Sequence, residues 1–187
     1  MPTMMDDTPV STPLGFKNIR NLERGDTVMT ESRGAVSILK RVTRNVPALG
    51  GFAPIRLRAP YFGLLQDVIA APDQRLIIRG SDVEYMFGQE AVLVPARHLV
   101  NGFAARYEPT GSTVTYTHLL LPEHETLLVA GSSFESLYIG RIRRKPDQLS
   151  TSLLALFEQN GLPEHGKPVF PILKSFEAIA LADQRAA

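Results

Sequence analysis

Two patterns of hydrophobic and polar positions divide the chain near Gly140. Before this residue, short runs rich in β-branched and other apolar residues are separated by glycine, proline and small polar residues, which is typical of strands joined by turns. After it, leucines and other apolar residues recur three or four positions apart, which is typical of amphipathic helices. The pattern predicts strands over residues 27–30, 35–46, 55–59, 67–71, 75–79, 83–87, 91–94, 113–121 and 125–130, and helices over residues 147–160 and 172–184.

Turn signals between these runs indicate how neighbouring strands pair. Residues 80–82 read Gly-Ser-Asp, so residues 75–87 are predicted to form a hairpin. A second hairpin is predicted between residues 113–121 and 125–130, around the Pro-Glu-His sequence of residues 122–124. Many short strands close together in sequence favour a mainly β fold of the barrel or sandwich type, with the two C-terminal helices packed on it.

Length and composition are those of an ordinary soluble globular domain. The 187 residues are enough for one well-cored domain, which we expect over residues 1–187, with a β core over 1–140 and a helical extension over 141–187. A formal net charge of +1 predicts no general attraction to nucleic acid. No apolar stretch approaches the roughly 20 residues that span a bilayer, and the amino terminus has no signal-peptide pattern. A cytoplasmic location without a membrane partner is therefore the default expectation.

Ordered motifs along the chain carry a resemblance to a known family. Residues 94–102 read VPARHLVNG, residues 116–125 read YTHLLLPEHE, and Glu135-Ser136 follows. Nearer the start, residues 12–15 read TPLG and residues 21–30 read NLERGDTVMT. A VPA-x-x-LVNG run followed by Y-x-H-x-x-x-x-x-H-E and E-S resembles the Hint family, the hedgehog/intein autoprocessing domains, in its bacterial subgroup. The resemblance implies a compact Hint-like β fold and, in active members, an acyl shift begun by a nucleophile near the amino terminus.

Two positions at which the resemblance implies catalytic residues hold other residues here. The chain has no cysteine, which excludes disulfides, zinc–cysteine sites and a thiol nucleophile. Counting back from Thr8, the nucleophile position falls on Thr3, and a hydroxyl is a far poorer nucleophile than a thiolate unless a base activates it. Within residues 71–78 the resemblance implies a histidine that protonates the departing nitrogen, but Gln74 stands there, and glutamine cannot shuttle a proton. The resemblance therefore implies a degenerate member that has lost autoprocessing.

A third region retains side chains that are capable of chemistry. His118, His124 and Glu125 lie within one predicted hairpin, where they can supply an acid–base pair or part of a metal site. The alternative for His118, which the pattern favours, is a structural role with its ring hydrogen-bonded in the core. The alternative for His124 is an exposed turn, and His98 and His165 are predicted to lie at the surface.

These observations leave several functions open. The preferred hypothesis is an inactive Hint-like domain kept as a binding or structural module for an unknown peptide or protein, with no cofactor and no metal. The second is residual self-cleavage or another acyl transfer by Thr3, Ser11 or Thr12, with His118 or His124 as base. A third is metal-dependent hydrolysis around the same two histidines and a carboxylate. The predicted site positions are Thr3, Gln74, His118 and His124.

Overall fold

The computed structural model describes residues 4–109, 111–152, 154–155 and 161–186, and all of its described strands lie within the first 135 residues. The described strands are β1 Met4–Met5, β2 Pro9–Thr12, β3 Gly15–Asn18, β4 Thr27–Thr30, β5 Gly34–Ser37, β6 Lys40–Pro47, β7 Ile55–Leu57, β8 Val68–Ala70, β9 Arg75–Arg79, β10 Ala91–Pro95, β11 Ala105–Tyr107, β12 Thr113–Leu120, β13 Thr126–Val129 and β14 Ser132–Glu135. The described α-helices are α1 Ser81–Phe87, α2 Pro146–Ser150 and α3 Ser175–Ala186.

The strands form two antiparallel sheets that share one core. The first sheet has the order β11-β7-β8-β1-β12-β6, and the second has the order β10-β9-β14-β13-β2-β3, with β4 pairing β13 and β5. The longest pair is β12 with β6, in register from Thr113 opposite Pro47 to Leu120 opposite Lys40. Apolar side chains of both sheets belong to a single buried cluster. The mainly β fold predicted from the sequence is therefore confirmed.

The segment after Arg79 is a helix and not the second arm of a hairpin. The predicted hairpin over residues 75–87 is wrong, because β9 pairs with β10 and α1 lies between them. Gly80 has a φ of 142°, which residues with a Cβ rarely adopt, and its carbonyl accepts the N–H of Glu84 at 3.1 Å. Asp82 and Glu84 place carboxylates in the first turn, where the helix dipole favours negative charge. The glycine therefore begins a helix.

The second predicted hairpin is also wrong, because β12 and β13 lie in different sheets. Residues 121–125 form a crossover between the sheets. Its end is fixed by Ser136, whose hydroxyl accepts the N–H of Glu125 at 2.9 Å and whose own N–H donates to the Glu125 carbonyl at 2.8 Å. This crossover carries His124 into the interior.

The two helices predicted near the carboxy terminus are observed with different lengths. The first is α2, which ends at Ser150, and part of the predicted range 147–160 lies outside the described residues. The second, predicted over residues 172–184, is confirmed as α3. Ala178 and Leu181 of α3 are buried in the core shared by the sheets, so this helix packs on the β core. None of the described helices has both the length and the apolar character needed to cross a membrane.

An extended segment before α3 closes one edge of the second sheet. The N–H of Leu93 on β10 donates to the Pro171 carbonyl at 2.8 Å, and the N–H of Leu173 donates to the Leu93 carbonyl at 3.1 Å. Val169 and Phe170 pack on the face of β9 and β10 that points away from the shared core. The edge strand β10 is therefore covered by the chain's own carboxy-terminal segment.

Candidate functional site

Gln74 lies directly before β9, at the end of a loop that backbone hydrogen bonds hold in place. Its N–H donates to the Ala71 carbonyl at 2.9 Å, and its carbonyl accepts the N–H of Ala96 at 2.8 Å. In the same loop the Pro72 carbonyl accepts the N–H of Arg97 at 3.0 Å. The loop is therefore tied to the segment that follows β10, and the position of Gln74 is fixed.

The side-chain amide of Gln74 is buried and hydrogen-bonded. Gln74 is 1% exposed, and its Nε2 donates to the carbonyls of Arg75 at 3.1 Å and Glu135 at 3.2 Å. The second bond links the start of β9 to the end of β14. An amide does not exchange protons near neutral pH. The position at which the resemblance implies a proton donor is thus filled by a group that can only hold two strands together.

His118 lies on β12, between β1 and the edge strand β6 of the first sheet. It is buried and shares a strand face with Tyr116, and the hydrogen-bonded structural role of its ring stays a prediction. Both line a cavity of 30 Å³ whose other wall includes residues 71–73, and this volume holds about one water molecule. The Tyr116 hydroxyl donates to the Phe52 carbonyl at 2.8 Å, and burial raises the pKa of Tyr116 well above its usual range. The space beside His118 is therefore too small for a peptide.

The amino-terminal strand runs beside β12. Met4 of β1 pairs with Thr117 of β12 on one side and with Ala70 of β8 on the other. The Thr117 hydroxyl donates to Asp6 Oδ1 at 2.6 Å, which anchors the turn after β1. Thr3, the predicted nucleophile, lies outside the described residues, so its role stays a prediction.

His124 is buried in the crossover, and the exposed turn predicted for it is wrong. Its side chain is 1% exposed, because the segment before α3 covers it. The N–H of Val169 donates to Nδ1 of His124 at 3.0 Å. Since Nδ1 accepts, the proton of the neutral ring lies on Nε2, which faces Glu135 Oε2 at 3.3 Å. His124 therefore contacts Glu135, whereas His118 lies in the cavity beside residues 71–73.

Glu135 connects His124 with the start of β9. Its carboxylate is 0% exposed, and Arg75 Nη1 donates to Oε2 at 2.8 Å. A buried carboxylate requires such a pairing, because removing an isolated charge from water is costly. The other oxygen, Oε1, has no hydrogen-bond partner among the described residues. The sequence showed Glu135 only as part of a motif, because its partner Arg75 is 60 positions away in the chain.

A second buried histidine completes this cluster. His165, predicted to face solvent, is 1% exposed, so that prediction is wrong. The N–H of Ile139 donates to its Nδ1 at 3.2 Å, and its Nε2 lies 3.1 Å from the Leu121 carbonyl, to which it donates. Its ring centre is 6.2 Å from that of His124 and 6.0 Å from that of Tyr138. Burial lowers the pKa of His165, which keeps the ring neutral near pH 7.

The other candidate groups are held by local contacts. The Thr12 hydroxyl donates to the Gly15 carbonyl at 2.6 Å, within the hairpin of β2 and β3 that also contains Ser11. The carboxylate of Glu125 pairs with Arg33 Nε at 3.0 Å. No group of three histidine, aspartate or glutamate side chains that could hold a metal occurs in the described part of the chain. These residues give the metal-dependent hypothesis no site.

Comparisons with known proteins agree with the resemblance carried by the motifs. A family model described as "Hint domain" matches residues 2–141. A bacterial intein-like domain from Clostridium thermocellum is 13% identical with a TM-score of 0.55, over 74% of this chain and 99% of that one. A splice-inactive variant of the AceL NrdHF split intein is 12% identical with a TM-score of 0.51, over 73% and 99%.

A third solved structure, a DnaB intein from Synechocystis sp. PCC 6803, is 8% identical with a TM-score of 0.50, over 74% of this chain and 100% of that one. At these identities the likeness concerns the fold alone. The comparison with curated proteins found no significant match. The family match ends at residue 141, before α2 and α3.

Proposed function

The chain belongs to the Hint domain family, and we propose that it is a degenerate member that does not autoprocess and serves as a binding or structural module for a peptide or protein. The observation that carries the proposal is the buried amide of Gln74, which bonds the Glu135 carbonyl at the position of the implied proton donor. The chain also contains no cysteine to act as a nucleophile. Both chemical steps of an acyl shift therefore lack their usual groups.

In an acyl shift, the nucleophile and the general acid each contribute a large part of the rate acceleration. General acid catalysis contributes roughly 10²–10⁴-fold, and this contribution is lost when an amide replaces an imidazole. A hydroxyl nucleophile needs a base within hydrogen-bond reach. The two losses act on successive steps, so their effects combine.

A reporter-release assay tests the proposal. A small folded reporter is fused upstream of Met1, and the fusion is incubated near neutral pH with and without hydroxylamine or a thiol. Intact mass spectrometry then follows the two chains. We expect the fusion to keep its full mass under all conditions. Release of the reporter at the Thr3 position would contradict the proposal.

A matched variant provides the positive control. Thr3→Cys combined with Gln74→His restores the two residue types that the resemblance implies. Release from this variant, with none from the unmodified chain, attributes the inactivity to those two positions. Thr3→Cys alone should release less reporter, because the leaving nitrogen would still lack its proton donor.

The alternative function is residual self-cleavage by Thr3, with His118 or His124 as base. One observation favours it: β1 runs beside β12, and Met4 pairs with Thr117, the residue that precedes His118. If the unmodified fusion releases its reporter, Thr3→Ala should abolish release while the fold is retained. Loss of release in His118→Ala but not in His124→Ala would assign the base.

A further inference from the structure

A basic groove lies on the carboxy-terminal side of the β core. We propose that this groove, whose charged residues are Arg141, Lys145 and Lys167, binds an acidic peptide segment of a partner protein. The inference rests on the proposed binding role and names the surface and the chemistry of the partner. Six of the ten residues that line the groove lie beyond the end of the family match at residue 141.

The size of the groove suits a short peptide. It has a volume of 630 Å³, within the roughly 300–1,000 Å³ typical of ligand sites, whereas the cavity beside His118 has 30 Å³. It runs between residues 138–148 on one side and residues 165–167 on the other. Its open shape allows an extended chain to enter from solvent.

The described side chains that line the groove include three cations. Arg141, Lys145 and Lys167 line it, and no aspartate or glutamate does so among the described residues. The nearby carboxylate of Glu164 is occupied by Arg144, through bonds of 2.9 Å and 2.7 Å in a two-pronged pair. None of the three lining cations forms an ion pair within the described part of the chain. Their charge is therefore available to carboxylates of a partner.

The walls of the groove are held together before any ligand arrives. The N–H of His165 donates to the Gly140 carbonyl at 3.0 Å, and the Tyr138 hydroxyl donates to the Gly166 carbonyl at 2.8 Å. The buried ring of His165 also accepts the N–H of Ile139 at 3.2 Å. Because hydrogen bonds join the two walls in this way, binding requires little reorganisation of the groove.

Apolar residues among the cations distinguish a peptide from other anions. Ile139 and Ile142 line the groove together with the basic side chains. A partner with carboxylates beside an apolar residue can therefore pair with the cations and also make apolar contacts with the isoleucines. A free phosphate would leave the isoleucines unused. Tyr138 lines the groove, but a single-stranded nucleic acid needs several stacking aromatic residues along a longer basic track. The net charge of +1 does not favour it either. The acidic peptide fits the most features.

Fluorescence anisotropy with the full chain tests the proposal. The probe is a labelled peptide of about ten residues, rich in glutamate with two leucines, and the control peptide has glutamine in place of glutamate. We expect binding of the acidic peptide at low ionic strength, weakening as salt screens the charges. The glutamine peptide should bind at least about tenfold more weakly.

Charge-reversal variants locate the binding surface. Lys145→Glu/Lys167→Glu should lower the affinity for the acidic peptide by about tenfold or more. The control Arg24→Glu/Arg106→Glu makes the same change in net charge at exposed residues outside the groove and should leave affinity nearly unchanged. Circular dichroism of both variants checks that the fold is kept, which we expect because all four side chains are exposed.

Several results would overturn the proposal. They are no binding of the acidic peptide, equal weakening by both double variants, or displacement of the peptide by inorganic phosphate or by a single-stranded oligonucleotide at lower concentration than unlabelled peptide. The reporter-release assay is independent of all of these. A chain that neither cleaves nor binds the acidic peptide refutes the groove alone, whereas a chain that cleaves refutes the loss of autoprocessing.

Discussion

Replacing Arg75 with methionine tests the buried carboxylate at the centre of the site. Arg75 Nη1 lies 2.8 Å from the fully buried Oε2 of Glu135. Without the guanidinium, Oε2 keeps only the contact with His124 Nε2 at 3.3 Å, and Oε1 has no hydrogen-bond partner among the described residues. Removing one partner of a buried pair costs about 3–5 kcal/mol. Because the Arg75 side chain is 22% exposed, water screens part of this loss, and we expect Arg75→Met to lower the free energy of unfolding by about 2–3 kcal/mol.

Urea unfolding followed by far-ultraviolet circular dichroism measures this change. For a chain of this size the expected loss moves the midpoint down by about 1 M, with the slope unchanged. The double variant Arg75→Met/Glu135→Gln should recover part of the loss, because it no longer leaves an unpaired buried charge. Arg24→Met, at an exposed arginine, should change stability by less than about 0.5 kcal/mol. A cost of Arg75→Met below about 1 kcal/mol, or no recovery in the double variant, would refute the reasoning.

Three further predictions concern pH, the helical extension and a buried hydroxyl. Burial lowers the pKa of His165 in the folded chain, so the unfolded chain binds the proton more tightly. The stability contributed by the neutral ring is complete above the unfolded pKa of about 6.5 and is lost as the pH falls below it. The melting temperature of His165→Gln should therefore depend less on pH, between about 7 and 5, than that of the unmodified chain. An equal pH dependence of the two melting temperatures would contradict this. Leu181→Ala, at a buried position of α3, should lower the free energy of unfolding by about 2–4 kcal/mol and lower the midpoint temperature of a single calorimetric transition. Two separated transitions would show that α3 does not unfold with the β core. Tyr116→Phe removes the donor to the Phe52 carbonyl and should cost about 1 kcal/mol in urea unfolding, while Tyr107→Phe, at an exposed tyrosine, should cost almost nothing.

The strands could be predicted from the sequence because the apolar residues within each strand indicate that the strand is buried. The apolar run at residues 76–78 is buried on both faces, against the shared core and against the segment before α3. Pairing is harder to predict, since a Gly-Ser-Asp sequence suits a tight turn as well as a helix start. In the observed helix, Val83 buries its side chain in the core.

The surroundings of the histidines could not be predicted in the same way. His124 is covered by Val169, which is 45 positions away, and His165 bonds to Leu121, which is 44 positions away. Hydrophobic periodicity carries no information about contacts at such separations. The motif that contains Gln74 did predict its place at the start of a buried strand, because that place depends on the residues next to it.

The carboxy-terminal segment that lies along β10 also determines how the protein has to be prepared. A fragment that stops at residue 141, where the family match ends, would leave the N–H and carbonyl of Leu93 unpaired and would uncover Ile77 and Leu93. Unprotected strand edges of this kind adhere to one another. We therefore expect such a fragment to aggregate in solution for reasons unrelated to its biological role. Fragment boundaries for binding or cleavage experiments belong after α3.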